Sequence, residues 1–261
     1  MIFYFTGTGN SLWTANELSL RLEENIKNIM DIEDKMFIED NIVGIVCPTY
    51  MSDLPWIVKQ QLLKLKIKQN TYTFAVLTSN MGKSGKSADS ADKIFCTIGS
   101  KLYSFFDISM PGNCLISSKE ENEKRLSQAP LIIDNIFKDI LNRAENYKSK
   151  GLVADADFIE KSFFYKNKSL LQLSRLKNFR IEKNCDGCGI CEKICPTNNI
   201  VIKEKRAMHG SKCAACYACM HWCPKNATRV KVPVLRKRFQ YHHPNVKVDK
   251  NGISIKFVRG K

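Results

Sequence analysis

No apolar run in the 261-residue chain approaches the roughly 20 residues of a membrane-spanning helix. No basic stretch precedes the first apolar residues, Met1-Ile2-Phe3-Tyr4-Phe5, which run straight into Thr6-Gly7. That opening reads as a first strand rather than a signal peptide. With no export signal, and with thiols spaced as metal ligands, the expected compartment is the cytoplasm. Acidic residues are scarce too: 26 Asp and Glu stand against 41 Lys and Arg, a formal charge of +15. The deficit is sharpest from Arg229 to Lys261, where ten basic residues face Asp249 alone. Such a tail suits an acidic redox protein partner, an anionic surface or a solvated face. Nucleic acid is a weaker match, because Phe239, Tyr241 and Phe257 are its only aromatics for base stacking. No pair of side chains reads as general acid and base or as nucleophile and base, so no catalytic side chain is assigned. Hydrophobic residues make up 44%, enough for a real core, and the length suits two domains.

Cysteine is what the chain concentrates. Eight of its 11 cysteines lie between Asn184 and Lys225. Cys185, Cys188, Cys191 and Cys195-Pro196 set a pattern that Cys213, Cys216, Cys219 and Cys223-Pro224 repeat 28 residues later. This is C-x2-C-x2-C-x3-C-P twice, the ligand run of bacterial [4Fe–4S] ferredoxins, in which the last Cys of each run serves the other cluster. The expected sets are Cys185, Cys188, Cys191 and Cys223 for one cluster, and Cys213, Cys216, Cys219 and Cys195 for the other. Gly187, Gly189, Ala214, Ala215 and Ala218 keep the loops small enough for backbone to reach the sulfurs, and each proline ends its loop by removing a donor. Structural zinc usually comes as separated C-x2-C pairs, and disulfide frameworks suit small secreted chains. His209, His221, His242 and His243 are not expected as ligands, since eight thiolates complete both sites, and Tyr217 and Trp222 are expected to shield the clusters. Two clusters with their thiolates lower the net charge to about +11. Cys47, Cys96 and Cys114 read as buried, inert thiols.

The first 150 residues read differently. After the opening strand comes Thr6-Gly7-Thr8-Gly9-Asn10-Ser11, then a helical pattern carrying Leu12, Ala15, Leu18 and Leu22 on one side. Such a loop aims backbone N–H groups and a helix N-terminus at an anion. It holds neither Lys nor Arg, which favours a monophosphate over a triphosphate with Mg2+. The dinucleotide fingerprint fails at Leu12, where glycine is required, and a Walker loop ending at Gly85-Lys86-Ser87 fails at Asn80. Residues 83–87 therefore read as a mobile, solvated loop. Ile42–Cys47 and Tyr72–Thr78 lack polar alternation, as strands buried on both faces do. Helices are expected at Pro55–Lys66, Ser87–Leu102 and Glu120–Lys148, with a last strand near Phe105–Met110 or Cys114–Ser117. The alternation predicts an α/β fold with a doubly wound parallel sheet, followed by a small α+β domain for the cysteine repeat. Ligands of such sheets lie beyond the carboxyl ends of the strands. Three loops qualify there: Thr6–Ser11, Pro48–Trp56 with Pro48, Thr49, Tyr50 and Met51, and Ser79–Gly82 with Asn80 and Met81. Tyr50 and Trp56 are placed to stack on a flat heterocycle. Phosphate, aromatic and polar loops together suit FMN.

Phe5–Ser11 resembles the phosphate loop of flavodoxins, and Pro48-Thr49-Tyr50 resembles the loop that covers their isoalloxazine ring. With the cysteine repeat added, the chain resembles the flavodoxin–ferredoxin fusion proteins called the EFR1 family. The basic loop at 83–87 departs from that pattern. The resemblance implies a flavodoxin-like FMN-binding domain over 1–150 and a two-cluster ferredoxin domain over 181–230; the residues themselves read as an apolar connecting segment packed between domains over 151–180 and a basic tail over 231–261. The resemblance also implies an electron-transfer protein that relays electrons between FMN and the clusters and so links two-electron with one-electron partners. Two alternatives stand beside it: an FMN-dependent reductase of a small acceptor such as a quinone, and an iron–sulfur nucleic-acid-binding or regulatory protein.

Overall fold

The computed structural model describes residues 1–114, 117–159, 179–230, 240–249 and 252–255. The N-terminal half is built on five parallel strands: β1 (Ile2–Tyr4), β2 (Ile26–Asn28), β4 (Ile42–Pro48), β6 (Tyr72–Ser79) and β7 (Ser104–Ser109). Their order in the sheet is β2-β1-β4-β6-β7. Counted along the chain that is 2-1-3-4-5, the flavodoxin-like winding, with its switch point between β1 and β4. The two central strands, β4 and β6, pair from Ile42↔Tyr72 to Pro48↔Thr78. Both are almost wholly buried, as strands covered by helices on both faces must be. Gly44 is glycine for a packing reason: the Phe74 ring occupies the place a Cβ would take.

Helices α1 (Asn10–Leu22), α2 (Trp56–Leu62), α3 (Ser87–Ile98) and α4 (Lys119–Leu141) complete this half. Ser118 caps α4 by accepting from Glu121 N at 3.2 Å, the Ser-x-x-Glu start signal. Two short strands, β3 (Phe37–Ile38) and β5 (Lys66–Ile67), form a separate parallel ladder. The helix expected at Pro55–Lys66 therefore stops at Leu62, where the chain turns to reach that ladder. The helix expected to Leu102 stops at Ile98, because Gly99 leaves the helical region at φ 123. The last sheet strand is Ser104–Ser109. Strand β2 has no apolar run to announce it, being an edge strand with every residue half-buried. The loop at 83–87 is not uniformly solvated: Ser84 and Ser87 are buried, and Ser84 Oγ reaches Asp107 Oδ2 at 3.1 Å.

The cysteine-rich half runs β8 (Phe179–Ile181), α5 (Ile190–Lys193), β9 (Ile200–Lys203), β10 (Arg206–His209), α6 (Ala218–His221), β11 (Thr228–Val230). Strands β9 and β10 form a hairpin, while β8 and β11 pair antiparallel. The 28-residue repeat extends to the backbone. Gly187 and Ala215, Gly189 and Tyr217, and Asn198 and Asn226 each share a positive φ, at 72 and 54, 79 and 57, and 48 and 47. Glycine accepts that region freely; tyrosine does so only under strain. Beyond it, β12 (Val246–Asp249) and β13 (Gly252–Ile255) make a further hairpin. Most of the connecting segment lies outside the described residues, including Phe163, Phe164, Tyr165, Leu170, Leu171, Leu173 and Leu176. Of that segment, Phe158 is buried beneath the Lys59 ammonium, 4.5 Å from its ring centroid.

Candidate redox site

The eight cysteines fall into two groups. Cys195, Cys213, Cys216 and Cys219 line one small cavity, with Phe179, Ile200, Tyr217 and Ala218 among its apolar walls. Burial, with the nearby thiols Cys213 and Cys195, pushes Cys216 up to about 12; burial and the same neighbours also raise Cys219, and burial and Cys195 raise Cys213. Burial pushes Cys191 up to about 11, with Cys223, Cys188 and Cys185 adding their charge. Cys195 thus lies in the cavity of the run that follows it, and Cys223 acts on Cys191 of the run before it. Sulfurs so crowded resist ionising alone and need a bound cation to hold them as thiolates. Main-chain N–H groups already point at three of them: Asn199 to Cys195 at 3.3 Å, Ala227 to Cys223 at 3.2 Å and Ala215 to Cys213 at 3.2 Å. The first two are the same bond one repeat apart. Among the described residues no three His, Cys, Asp or Glu converge tightly enough to hold a single metal ion. A four-iron cube spreads its thiolates wider than one ion does. Exposure differs at three of the eight, Cys188 being exposed and Cys216 and Cys219 buried, with the other five in between.

The loop Thr6–Ser11 lies across a seam from the second group. Thr8, Asn10 and Ser11 are buried, yet the main-chain N–H groups of Thr6, Gly7, Thr8, Asn10 and Ser11 donate to none of the described residues. Buried amides without acceptors are costly, so this donor set, at the N-terminus of α1, matches an anion such as a phosphate. The Gly9 amide is turned inward to Thr6 Oγ1 at 3.0 Å, and Ser11 Oγ lies 2.8 Å from Thr78 Oγ1. The second loop turns back on itself through Met51 and Ser52, both at positive φ, with Pro48 and Thr49 leaving β4 and Tyr50 paired to Asp53. The Tyr50 ring is buried, set edge-on to Phe5 at 6.5 Å. Burial and the Cys216 thiol raise its hydroxyl pKa well above the usual value. On the third loop Ser79 Oγ accepts from Lys83 N at 3.2 Å, Asn80 O accepts from Ser109 Oγ at 3.4 Å, and Gly82 turns at φ 60. Met51 and Met81 are exposed, an apolar rim of the kind a flat ligand covers. Trp56 opens helix α2.

Several site residues had no signal in the sequence. The Cys216 carbonyl sits where a Cβ on Gly7 would be, 2.5 Å away. Asn113 Nδ2 donates to the same carbonyl at 3.3 Å and approaches Tyr50 Oη at 3.5 Å. Trp222, expected to shield a cluster, donates its Nε1–H to Gly7 O at 2.9 Å. His221 accepts from Tyr241 N at Nδ1, 3.0 Å, so its Nε2–H donates to Asn113 O at 2.7 Å, and burial holds its pKa down at about 4. Part of the supposed solvated tail is also here. Tyr241 Oη donates to Asn10 Oδ1 at 2.6 Å, His243 N to Thr8 O at 2.8 Å, and Val246 packs on Gly9. His243 stacks on Trp13, and His242 on Trp222. Most of these contacts join residues more than 100 positions apart, which no local pattern can signal.

Residues 184–227 match the family described as the 4Fe-4S dicluster domain. The first half resembles a Streptococcus pneumoniae TIGR4 flavodoxin at 16% identity, covering 52% of this chain and 97% of that one, with a TM-score of 0.34. It also resembles the Trp repressor binding protein of Bacillus subtilis at 15% identity, covering 51% and 97%, with a TM-score of 0.30. Likenesses this slight carry no weight, and the fold rests on the strand order itself. No curated protein matches the chain. The chain is a flavodoxin-like parallel α/β unit joined to a 4Fe-4S dicluster domain. That pairing supports an electron-transfer role, and no helix among the described residues is long and apolar enough to cross a membrane.

Proposed function

We propose that this protein carries electrons between FMN, held by the three loops of the sheet half, and two [4Fe–4S] clusters on the crossed cysteine sets. One observation carries the reading: Cys216 belongs to the second thiol group, and its carbonyl lies against Gly7 of the anion-binding loop. FMN exchanges one or two electrons and a [4Fe–4S] cluster exchanges one, so the pair joins two-electron to one-electron partners. The chain's own part is to bind and orient. The amides of Thr6, Gly7, Thr8, Asn10 and Ser11 would hold the phosphate, Tyr50 and Met51 one side of the ring, and Asn80, Met81 and Gly82 another. Cys185, Cys188, Cys191 and Cys223 would hold one cluster, and Cys195, Cys213, Cys216 and Cys219 the other. Trp222, Asn113 and Tyr241 keep the two halves in one relation and water out of the seam.

Anaerobic purification followed by iron, sulfide and flavin analysis and a redox titration read by absorption and EPR tests this. About eight irons and one FMN per chain, with two cluster signals, are expected. A colourless, zinc-containing protein would end the reading. Turnover of a quinone at a rate far above exchange with redox proteins would make the chain a reductase instead.

A further inference from the structure

The two thiol groups differ in where they stand. Cys216 touches Gly7 through its carbonyl and, through Asn113, comes within reach of the Tyr50 hydroxyl. Its neighbour Tyr217 is held at φ 57, in a region that its counterpart Gly189 occupies without strain. Strain at a bulky residue persists only where the surroundings impose it. Here the ring walls the cavity of Cys195, Cys213, Cys216 and Cys219 and packs against Phe179, with ring centroids 6.4 Å apart. At the first group no aromatic ring of the described residues lines the open pocket beside Cys188, whose walls are Gly189, Ile190, Glu192, Lys193, Val248 and Asp249. Cys188 is exposed and Cys185 and Cys191 are half-buried. Lys183, Asp186, Lys205 and Lys225 around them are exposed, and Gly187 lies against the Lys205 backbone.

We infer from this geometry that the relay has a fixed order: the cluster of Cys195, Cys213, Cys216 and Cys219 is the inner one, next to the flavin loops, and the cluster of Cys185, Cys188, Cys191 and Cys223 is the outer port, where a one-electron redox protein docks at the Cys188 edge. This rests on the function proposed above. Each passage moves one electron: the flavin side is oxidised by one, the inner set is reduced and reoxidised in turn, the outer set likewise, and the docked protein is reduced by one. Two passages empty a two-electron-reduced flavin, whose protons go to water. The reverse direction balances in the same way. Tunnelling falls off steeply with distance, so the set that touches Gly7 through Cys216 is the one placed to exchange with the flavin loops.

The test uses the full chain reconstituted with iron and sulfide. Brief ferricyanide treatment, alkylation and peptide mass spectrometry report which cysteines are released first. Cys185, Cys188, Cys191 and Cys223 should be alkylated together, at least tenfold faster than Cys195, Cys213, Cys216 and Cys219. Equal rates, or the opposite order, overturn the inference. This arm needs no flavin and no variant, so a chain that binds iron but no FMN fails the proposed function while still reporting the order. In a second arm, Cys188→Ala should leave bound flavin exchanging electrons with the remaining cluster while reduction of an added ferredoxin falls at least tenfold. Cys213→Ala should instead uncouple the flavin and spare exchange between the outer cluster and the ferredoxin. The converse pair of results overturns the order.

Discussion

Lys59 is 2% exposed, and its ammonium lies 2.7 Å from Asp53 Oδ2 and over the Phe158 ring. Burial lowers its pKa, and Asp53 opposes that shift. A buried pair adds little net stability, but removing one partner strands the other charge. Lys59→Ala should therefore destabilise the sheet half by about 3 kcal/mol, seen as a lower urea midpoint at unchanged slope. The double change Lys59→Met with Asp53→Asn should cost less than half as much, since no charge is left alone. Gly7 is the other telling residue, because a methyl there meets the Cys216 carbonyl at 2.5 Å. Backbone cannot yield as a side-chain tip does, so Gly7→Ala should cost about 1–3 kcal/mol of overpacking strain and loosen the seam. Faster amide exchange at Trp222 Nε1–H, with the sheet core unaffected, would register it.

Among the elements, the segment Gln240–Val246 acts as a strap. Gln240 Nε2 donates to Met220 O and Cys223 O, and three residues later His243 N reaches Thr8 O. It therefore ties the cysteine half to the anion-binding loop. Tyr241→Phe removes the bond to Asn10 and should cost roughly 1 kcal/mol; if FMN binds as proposed, its dissociation should quicken. A Tyr241→Phe protein with unchanged stability and unchanged flavin release would deny the strap its role. The ligand loops give a sharper test. Cys195 accepts from Asn199 N, as Cys223 accepts from Ala227 N one repeat later. Cys195→Ala should abolish the EPR signal of the cluster shared with Cys213, Cys216 and Cys219 and leave the other in place. Loss of the neighbouring cluster instead would show that the sets are not crossed.

At the level of the whole molecule the two halves differ in what holds them together. The main core runs from Ile2 to Ile140 and continues across the seam into Ile194, Ala214, Cys216, Ala218, Trp222 and Val246, whereas the clusters that belong to the cysteine half alone, around Ile200 and Met220, are small. Binding energy at structural metal sites is folding energy. Removing iron with a chelator under reducing conditions should thus unfold the cysteine half and leave most far-ultraviolet signal of the sheet half. A single cooperative loss of both would mean that the seam couples them fully. The basic tail, for which a solvated face was one reading beside an acidic partner, an anionic surface and nucleic acid, contributes Tyr241, His243 and Val246 to this seam.

What the sequence alone determined was the local chemistry. Thiol spacing, the hydroxyl and glycine loop after a first strand, and the apolar runs at Ile42–Cys47 and Tyr72–Thr78 are each written within a few residues, because a ligand loop, an anion-binding turn and a buried strand are each made by neighbours. The expectation of crossed cysteine sets also came from the repeat alone. Tertiary structure decided which thiol group faces the loop Thr6–Ser11. It also gave Asn113, His221, Tyr241 and His243 their parts, and joined Trp222 to Gly7. The Tyr241–Asn10 bond spans 231 residues and the Trp222–Gly7 bond 215. Contacts between such distant residues follow from how two separately legible halves pack, and packing depends on surface shape that leaves no period in the chain.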